Sequence, residues 1–473
     1  MMVHTPTVFD TIVLGAGFSG LTAARILSAS GARVLIIEAR NRTGGRAYTC
    51  TGFPHPVDLG CSWVHGWDEG VPVRTVLEQL HIPAHVPTST PSLLFRHNGS
   101  ISEGLAGRLR TNFAFVNSLS SQSDKTAISP TTPLSSMIFD KNSPLYEGLE
   151  SEQRPLAGGL ARTLEIGLGA RLEEVALRWQ GFGHRFVGTD AAPEGGFQRA
   201  TSLLLSVAES SGAILKLNEA VTSVSSPSPS GPLVVSTNSP SGTVERYEAH
   251  TVICTLPLGV LQHVPPTFFD PPLPQPRADV IAHTHVGTLA KVVLGYADTW
   301  WPSDVGNFTI LPAFSPSAKI DRSDPAALLS SIPLVVTSFA SGALPDPHPT
   351  LLIYISAAVA PDIERLQPSA VAAAAHFLLI KCILGESASE RIAEPRHSVV
   401  TSWSVDPYAY GATSTPPLVG DVRSPADFAE LAKPLWNGRL GFAGEHTDVD
   451  NRGSVTGAVV SVTRRYQCKC VPQ

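Results

Sequence analysis

Between Asp10 and Glu38 the chain runs through an apolar strand, a glycine-rich turn, a helix and a second apolar strand. The strand is Asp10-Thr-Ile-Val-Leu14, the turn Gly15-Ala-Gly17-Phe-Ser-Gly20, and the second strand, Ala32 to Ile37, ends on Glu38. Glycines at this spacing, between a strand and a helix, restrict the fold to a β-α-β unit that cradles a dinucleotide. Gly15 permits the tight turn, Gly17 lets backbone approach a pyrophosphate, and Gly20 lets helix and strand pack closely. The helix N-terminus offers free N–H groups and the positive end of its dipole to phosphate. Glu38 can accept the two hydroxyls of an adenosine ribose, and an acid there disfavours a 2′-phosphate. NAD or FAD is therefore expected, and NADP is not.

The next residues favour FAD over NAD. Directly after Glu38 come Ala39-Arg40-Asn-Arg42-Thr-Gly44-Gly45-Arg46. An NAD fold has no use for a second glycine pair among three arginines. A flavin dinucleotide has a second half to hold, and a Gly-Gly-Arg turn brings backbone and guanidinium to its phosphates.

A chain of 473 residues is long enough for two or three domains. Hydrophobic residues make up 43% and charged residues only 16%, which describes a globular chain and excludes a disordered one. The formal net charge of -6, with no basic stripe, argues against a nucleic-acid partner. No apolar run approaches a membrane span, and the first strand is reached with no charged-then-apolar leader before it. Six scattered cysteines show neither metal spacing nor disulfide density, so no metal is expected. These features point to a reducing, cytoplasmic setting. The ending Cys470-Val-Pro-Gln473 has the layout of a prenylation box, with proline at an aliphatic position and no polybasic run; it is not a peroxisomal tripeptide. Nothing in the sequence specifies an oligomeric state.

Three separated segments carry the nucleotide-domain pattern: 1–80, 191–264 and 401–473. Between them, 81–190 and 265–400 carry helical stretches such as Val371 to Leu384 and strands such as Leu289 to Tyr296 and Leu351 to Ile355. Two Ser-rich stretches, Ser118 to Thr132 and Ser225 to Pro232, read as loops, the second as the end of a hairpin. The expected fold is α/β: a discontinuous Rossmann-like FAD-binding domain into which an α+β substrate-binding domain is inserted twice.

A series of ordered motifs resembles the flavin-dependent amine oxidase family, closest to its polyamine oxidase branch. They are the N-terminal fingerprint with Glu38-Ala-Arg40 and Gly44-Gly45-Arg46; Asp58-Leu-Gly60-Cys-Ser-Trp63-Val-His65-Gly66; Gly195-Gly196-Phe197; and Thr255-Leu-Pro257-Leu-Gly259. Lys291-Val-Val-Leu with Trp300-Trp301, Trp403-Ser-Val-Asp406-Pro407, and Phe442-Ala-Gly444-Glu445-His446-Thr447 complete the series. The resemblance implies that flavin N5 takes a hydride from the carbon beside an amine nitrogen, that the imine is hydrolysed, and that O₂ becomes H₂O₂. It places Lys291 at flavin N5 through a water; the bare sequence, without the motif, favours a strand lysine facing solvent. It places His65 and Trp63 on the substrate side, where His65 is either a hydrogen-bonding group for the amine or a structural histidine. Gly444 and Glu445 fall at a ribityl contact, Val455 opens a helix near the flavin pyrimidine, Trp403 packs along the ring system, and Val221 meets adenine through its backbone.

Two departures bear on the substrate. The family's aromatic walls in front of the flavin fall at Thr413 and Ser454 in this sequence, and its covalent attachment position falls at Ala412. Non-covalent FAD and a wider, more polar pocket follow, with a polyamine or a bulkier secondary or tertiary amine as substrate. A flavin desaturase or an L-amino-acid oxidase on the same fold is the alternative; the latter needs an arginine for the carboxylate, and Arg178 and Arg185 are its candidates. A flavin-binding protein without turnover is the non-enzymatic reading.

Overall fold

The computed structural model describes residues 8–68, 70–119, 125, 127–182, 186, 188–312, 320–388, 391–415 and 424–466. Arg185, Cys468, Cys470 and part of Ser118–Thr132 lie outside the described residues.

One sheet grows from the glycine-turn unit. Val8–Leu14 pairs in parallel with Val34–Ile37 on one side and with the long strand Val244–Cys254 on the other. Ile214–Lys216 adds to Val34–Ile37 in parallel. The far edge of Val244–Cys254 is shared: its first half takes Leu233–Asn238 antiparallel and its last residues take Leu440–Phe442 in parallel. Strands from three separated parts of the sequence, 8–37, 214–254 and 440–442, thus form one sheet. The period of two in apolar strands decides its two faces. Val13, Ile36 and Ile253 pack beneath the helices Phe18–Ala29, Gly196–Ser210 and Val455–Tyr466. Ile12, Leu14 and Leu35 face the opposite core with Leu258, Val280 and Phe428. Ala220–Ser225 and Leu233–Asn238 form the expected hairpin around the Ser-rich stretch.

The division drawn at residue 264 in the sequence falls too early. Phe269–Asp270 pairs in parallel with Val224 and Ser225, and Val280 and Ile281 of the helix Gln275–His283 join the first sheet's core. The prolines that follow residue 264 mark a turn, while the burial that defines the unit continues for another helix.

The second sheet runs in the order His397–Val400, Ala290–Gly295, Thr350–Ile355, Leu334–Ser338, Asn307–Leu311, Ser92–Arg96, Gly99–Ser100. One face packs Val292, Ile353, Val336 and Phe308 against Val371, Ala375 and Leu379 of the helix Pro368–Leu384. The other face carries Lys291, Tyr354, Val335 and Thr309 in one row, each opposite the next in register. A third core gathers Leu109, Leu134, Ile138, Leu160 and Leu172 from the helical segment between residues 100 and 175. No helix among the described residues is long and apolar enough to cross a membrane.

Candidate active site

The first sheet, the row on the second sheet and the helical segment enclose one cavity of about 840 Å³. Of the flavin- and amine-site residues singled out from sequence, all but Gly20 line it: Gly15, Gly17, Glu38, Arg40, Gly45 and Arg46, with Val221, Trp403, Gly444, Glu445 and Val455, and with Trp63, His65, Lys291, Thr413 and Ser454. Gly20 sits behind the turn, where a Cβ would lie 2.0 Å from the Gly15 carbonyl oxygen. Its role is close packing, as the spacing requires. Gly15 has φ +99° and a Cβ there would stand 2.9 Å from Thr255 Oγ1. At Gly17 the nearest atom to a Cβ is Gly44 O at 4.0 Å, so its bare backbone faces the cavity and not a protein neighbour.

Around that turn the charged groups are held in place. Glu38 is buried; its Oε2 accepts from Ala16 N at 2.8 Å and its Oε1 from Arg40 N at 2.9 Å. The carboxylate therefore ties the glycine turn to the loop after it and keeps lone pairs to spare. Arg40 Nη1 donates to Asp406 Oδ2 at 2.7 Å, whereas its Nη2 is buried without a partner. Arg42 donates to the carbonyls of Thr43 and Gly45 and lies over the Tyr48 ring, so it staples the Gly-Gly turn. Arg46 reaches across to Ala412 O at 3.1 Å and Glu445 Oε1 at 2.9 Å. Glu445 also accepts from Gly453 N at 2.7 Å and Ser414 Oγ at 3.0 Å. Burial opposes its charge, yet Arg46 and these donors hold its carboxyl below the usual range. A β-ladder register shift between Val221 and Ser223 interrupts pairing beside the cavity.

These residues fit a flavin dinucleotide on structural grounds of their own. The turn leaves no room for side chains, Gly17 opens onto free space, and two buried unpartnered polar atoms, Arg40 Nη2 and His446 Nδ1, belong to lining residues. An unmet buried polar atom is costly unless a ligand satisfies it. Burial pushes the His446 ring down to about 4, so it is neutral.

Lys291 lies at the start of the row on the second sheet, fully enclosed. Its Nζ donates to Asp58 O at 3.0 Å, Gly60 O at 2.6 Å and Ser62 Oγ at 2.7 Å, and stands 5.5 Å from the Tyr354 ring centroid. The three ammonium protons are thus given to protein acceptors, and Ser62, itself on the cavity lining, is the link between Nζ and the open space. Burial drives Lys291 down to about 8 and Asp58 beneath it up to about 6. Asp58 accepts from Thr49 Oγ1 at 2.5 Å and Phe197 N at 3.1 Å.

His65 is half exposed. Its Nδ1 is 2.9 Å from Asp190 Oδ2, and Gly66 N donates to Asp190 Oδ1 at 3.2 Å, which fixes the ring and leaves Nε2 as its second nitrogen. Trp403 Nε1 donates to Leu59 O at 3.1 Å. Thr413 and Ser454, 41 positions apart in sequence, meet on one wall: Thr413 Oγ1 donates to Gly453 O at 3.4 Å, and Ser454 Oγ accepts from Gly457 N at 3.0 Å as a cap on the last helix. Arg178 does not line the cavity; its guanidinium lies over the Trp179 ring. No metal-ligating cluster occurs among the described residues.

Sequence reasoning missed Tyr354, Asp190 and the pair Thr309 and Thr337. Asp58 and His446 stood in quoted motifs, a signal that could have been used. Asp190 reaches His65 only because Val64 bridges to Ala191, and Tyr354 faces the cavity only through its register with Lys291.

Comparison with known proteins fits this architecture. The family model described as flavin containing amine oxidoreductase matches residues 18–464. Polyamine oxidase 3 of Oryza sativa subsp. japonica is 26% identical over 479 residues, covering 96% of this chain and 87% of that protein. Lysine-specific histone demethylase 1 homolog 3 of Arabidopsis thaliana is 30% identical over 513 residues, covering 96% of this chain but 29% of the demethylase. A redesigned putrescine oxidase of known structure superposes with TM-score 0.70 at 19% identity, over 98% of this chain and 99% of that one, and shares the fold. The chain belongs to the flavin-containing amine oxidoreductase family. It is a flavoprotein oxidoreductase of the amine oxidase type, close to the polyamine oxidases.

Proposed function

We propose that this protein binds FAD without a covalent link and oxidises a small-molecule amine, a polyamine or a bulkier secondary or tertiary amine, with O₂ as acceptor. When bound, FAD supplies the two-electron oxidation of the carbon beside the amine nitrogen; O₂ ends as H₂O₂ and water hydrolyses the imine. The observation that carries the reading is a single cavity joining the glycine turn and its arginines to Lys291.

The residues divide the work by position. Gly15, Gly17, Gly45 and the N-terminus of Phe18–Ala29 offer backbone to the phosphates, Glu38 the ribose, and Arg40 its unpartnered Nη2. Val221, Gly444, Glu445 and Val455 complete the cradle, and Trp403 closes it beside Leu59. Lys291 holds or releases a proton at Nζ, passing it to the cavity through Ser62 Oγ; a group near 8 is suited to that exchange. His65, oriented by Asp190, presents its Nε2 to the amine at the mouth. Trp63, Thr413 and Ser454 shape the space in front of the flavin, and Ala412 offers no nucleophile for attachment.

The test is anaerobic. Purified protein mixed with amines should lose its absorbance near ~450 nm, and acid precipitation should release the flavin into the supernatant. Flavin that stays oxidised with every amine, or that stays with the pellet, would count against the reading.

A further inference from the structure

The two ends of the cavity differ in charge. The lining carboxylates among the described residues are Glu38, Glu219 and Glu445, all on elements of the first sheet's unit. Each is engaged: Glu38 by backbone N–H groups, Glu219 by Tyr247 Oη and Thr237 Oγ1, Glu445 by Arg46. Beyond Lys291 the lining changes character. The second sheet contributes Tyr354, Val335, Thr309, Thr337 and Asn307. The helical segment facing it contributes Phe113, Leu160, Thr163 and Ile166.

None of these nine side chains carries a charge. Glu165, beside Ile166, is turned into the core, where Arg162 Nη1 and Leu172 N donate to it. Asp190, near the mouth, is taken by His65 and Gly66 N. The polar groups of this wall are neutral and partly joined: Thr337 Oγ1 donates to Asn307 Oδ1 at 3.1 Å. Asn307 keeps an amide N–H₂ to give.

A polyamine carries a further ammonium several bonds from the one oxidised. Placed between Lys291 and Thr309, short of the exposed Asn307, it would leave water with no carboxylate among the described lining residues of that wall to receive it, and burying an uncompensated cation is costly. An apolar tail, by contrast, gains from Phe113, Leu160, Ile166 and Val335, and an oxygen acceptor on it can take the Asn307 amide. We infer that the substrate has a single basic nitrogen and an uncharged, largely apolar remainder, and that this cavity discriminates against di- and polyamines. The inference rests on the amine-oxidase reading and narrows its substrate class.

The experiment uses the holoenzyme and matched amines. Linear alkyl monoamines are compared with α,ω-diamines of equal chain length, together with spermidine, by stopped-flow anaerobic flavin reduction. The concentration dependence separates Kd from the limiting rate. The monoamine should bind roughly tenfold or more tightly than the diamine of equal length. Asn307→Asp, at an exposed position that tolerates the change, should tighten diamine binding several-fold relative to binding of the alkyl monoamine of equal length; Thr309→Glu supplies a carboxylate two residues along the same strand face. Diamines that bind wild-type protein as tightly as monoamines would overturn the neutral-end inference and leave the amine-oxidase reading standing. Bound flavin reduced by no amine in the series would overturn both.

Discussion

The cofactor end and the substrate end of the cavity are built by opposite means. At the cofactor end, charged groups meet backbone and one another: Glu38 with Ala16 N, Arg40 with Asp406, Arg46 with Glu445. Their partners are fixed, and most belong to short contiguous motifs. At the end proposed for the substrate the wall is one face of a sheet, with one ammonium and then neutral side chains among the described residues. FAD is the same molecule in every protein that binds it, so its cradle can be written as a motif. A substrate wall has no such fixed counterpart and is written as a surface.

The largest effect should come from breaking the cofactor end at its tightest point. Gly20→Val puts a side chain into the Gly15 carbonyl, and the purified protein should be colourless, its flavin-to-protein absorbance ratio near zero. A yellow, active Gly20→Val protein would mean that the turn is not the cradle. Lys291→Met lies on the border between the two ends. It should slow flavin reduction or reoxidation by about 10²- to 10³-fold in stopped-flow traces, with flavin content unchanged. Unaltered rates would remove Lys291 from the chemistry and leave it a structural cation.

Arg40→Met keeps the stem and removes the guanidinium. It should weaken FAD binding about 10- to 100-fold, read by apoprotein titration, with little change in amine Kd. A pH series sharpens the border further. Lys291 near 8 is protonated below that pH and neutral above it, so the rate governed by its proton should change with an apparent pKa about 8. Because the Asp58 charge favours the ammonium, Asp58→Asn should move that apparent pKa downward. A profile that does not move would assign the titration elsewhere. The smallest effect is expected from Thr413→Tyr, which restores an aromatic at the substrate end. It should raise KM for bulky amines by roughly several-fold and alter slim amines less.

Much of the first unit was legible in the sequence because its signals are local. The strand, turn and helix at 8–29, the acid at 38 and the hairpin around 225–232 each follow from neighbours within a few residues. The extent of that unit was less legible: the helix Gln275–His283 joins it through burial of Val280 and Ile281, which no local signal reports. At the site, Lys291 could be singled out by its place among apolar strand residues, but not its three acceptors, which come from the loop 58–62. Nor could the Thr413–Gly453 contact be read, since it brings together positions whose separation in sequence says nothing of distance.

By itself the sequence determined the dinucleotide turn, the acid that follows it and the order of motifs that marks a flavin amine oxidase. These depend on backbone freedom at glycine and on side-chain type at fixed spacing. Tertiary structure alone decided that Lys291 shares its protons with Asp58, Gly60 and Ser62, that Asp190 orients His65, and that the described lining on the second sheet beyond Lys291 is uncharged. Each of these is set by strand register and by the packing of distant segments, and register exists only once the chain has folded.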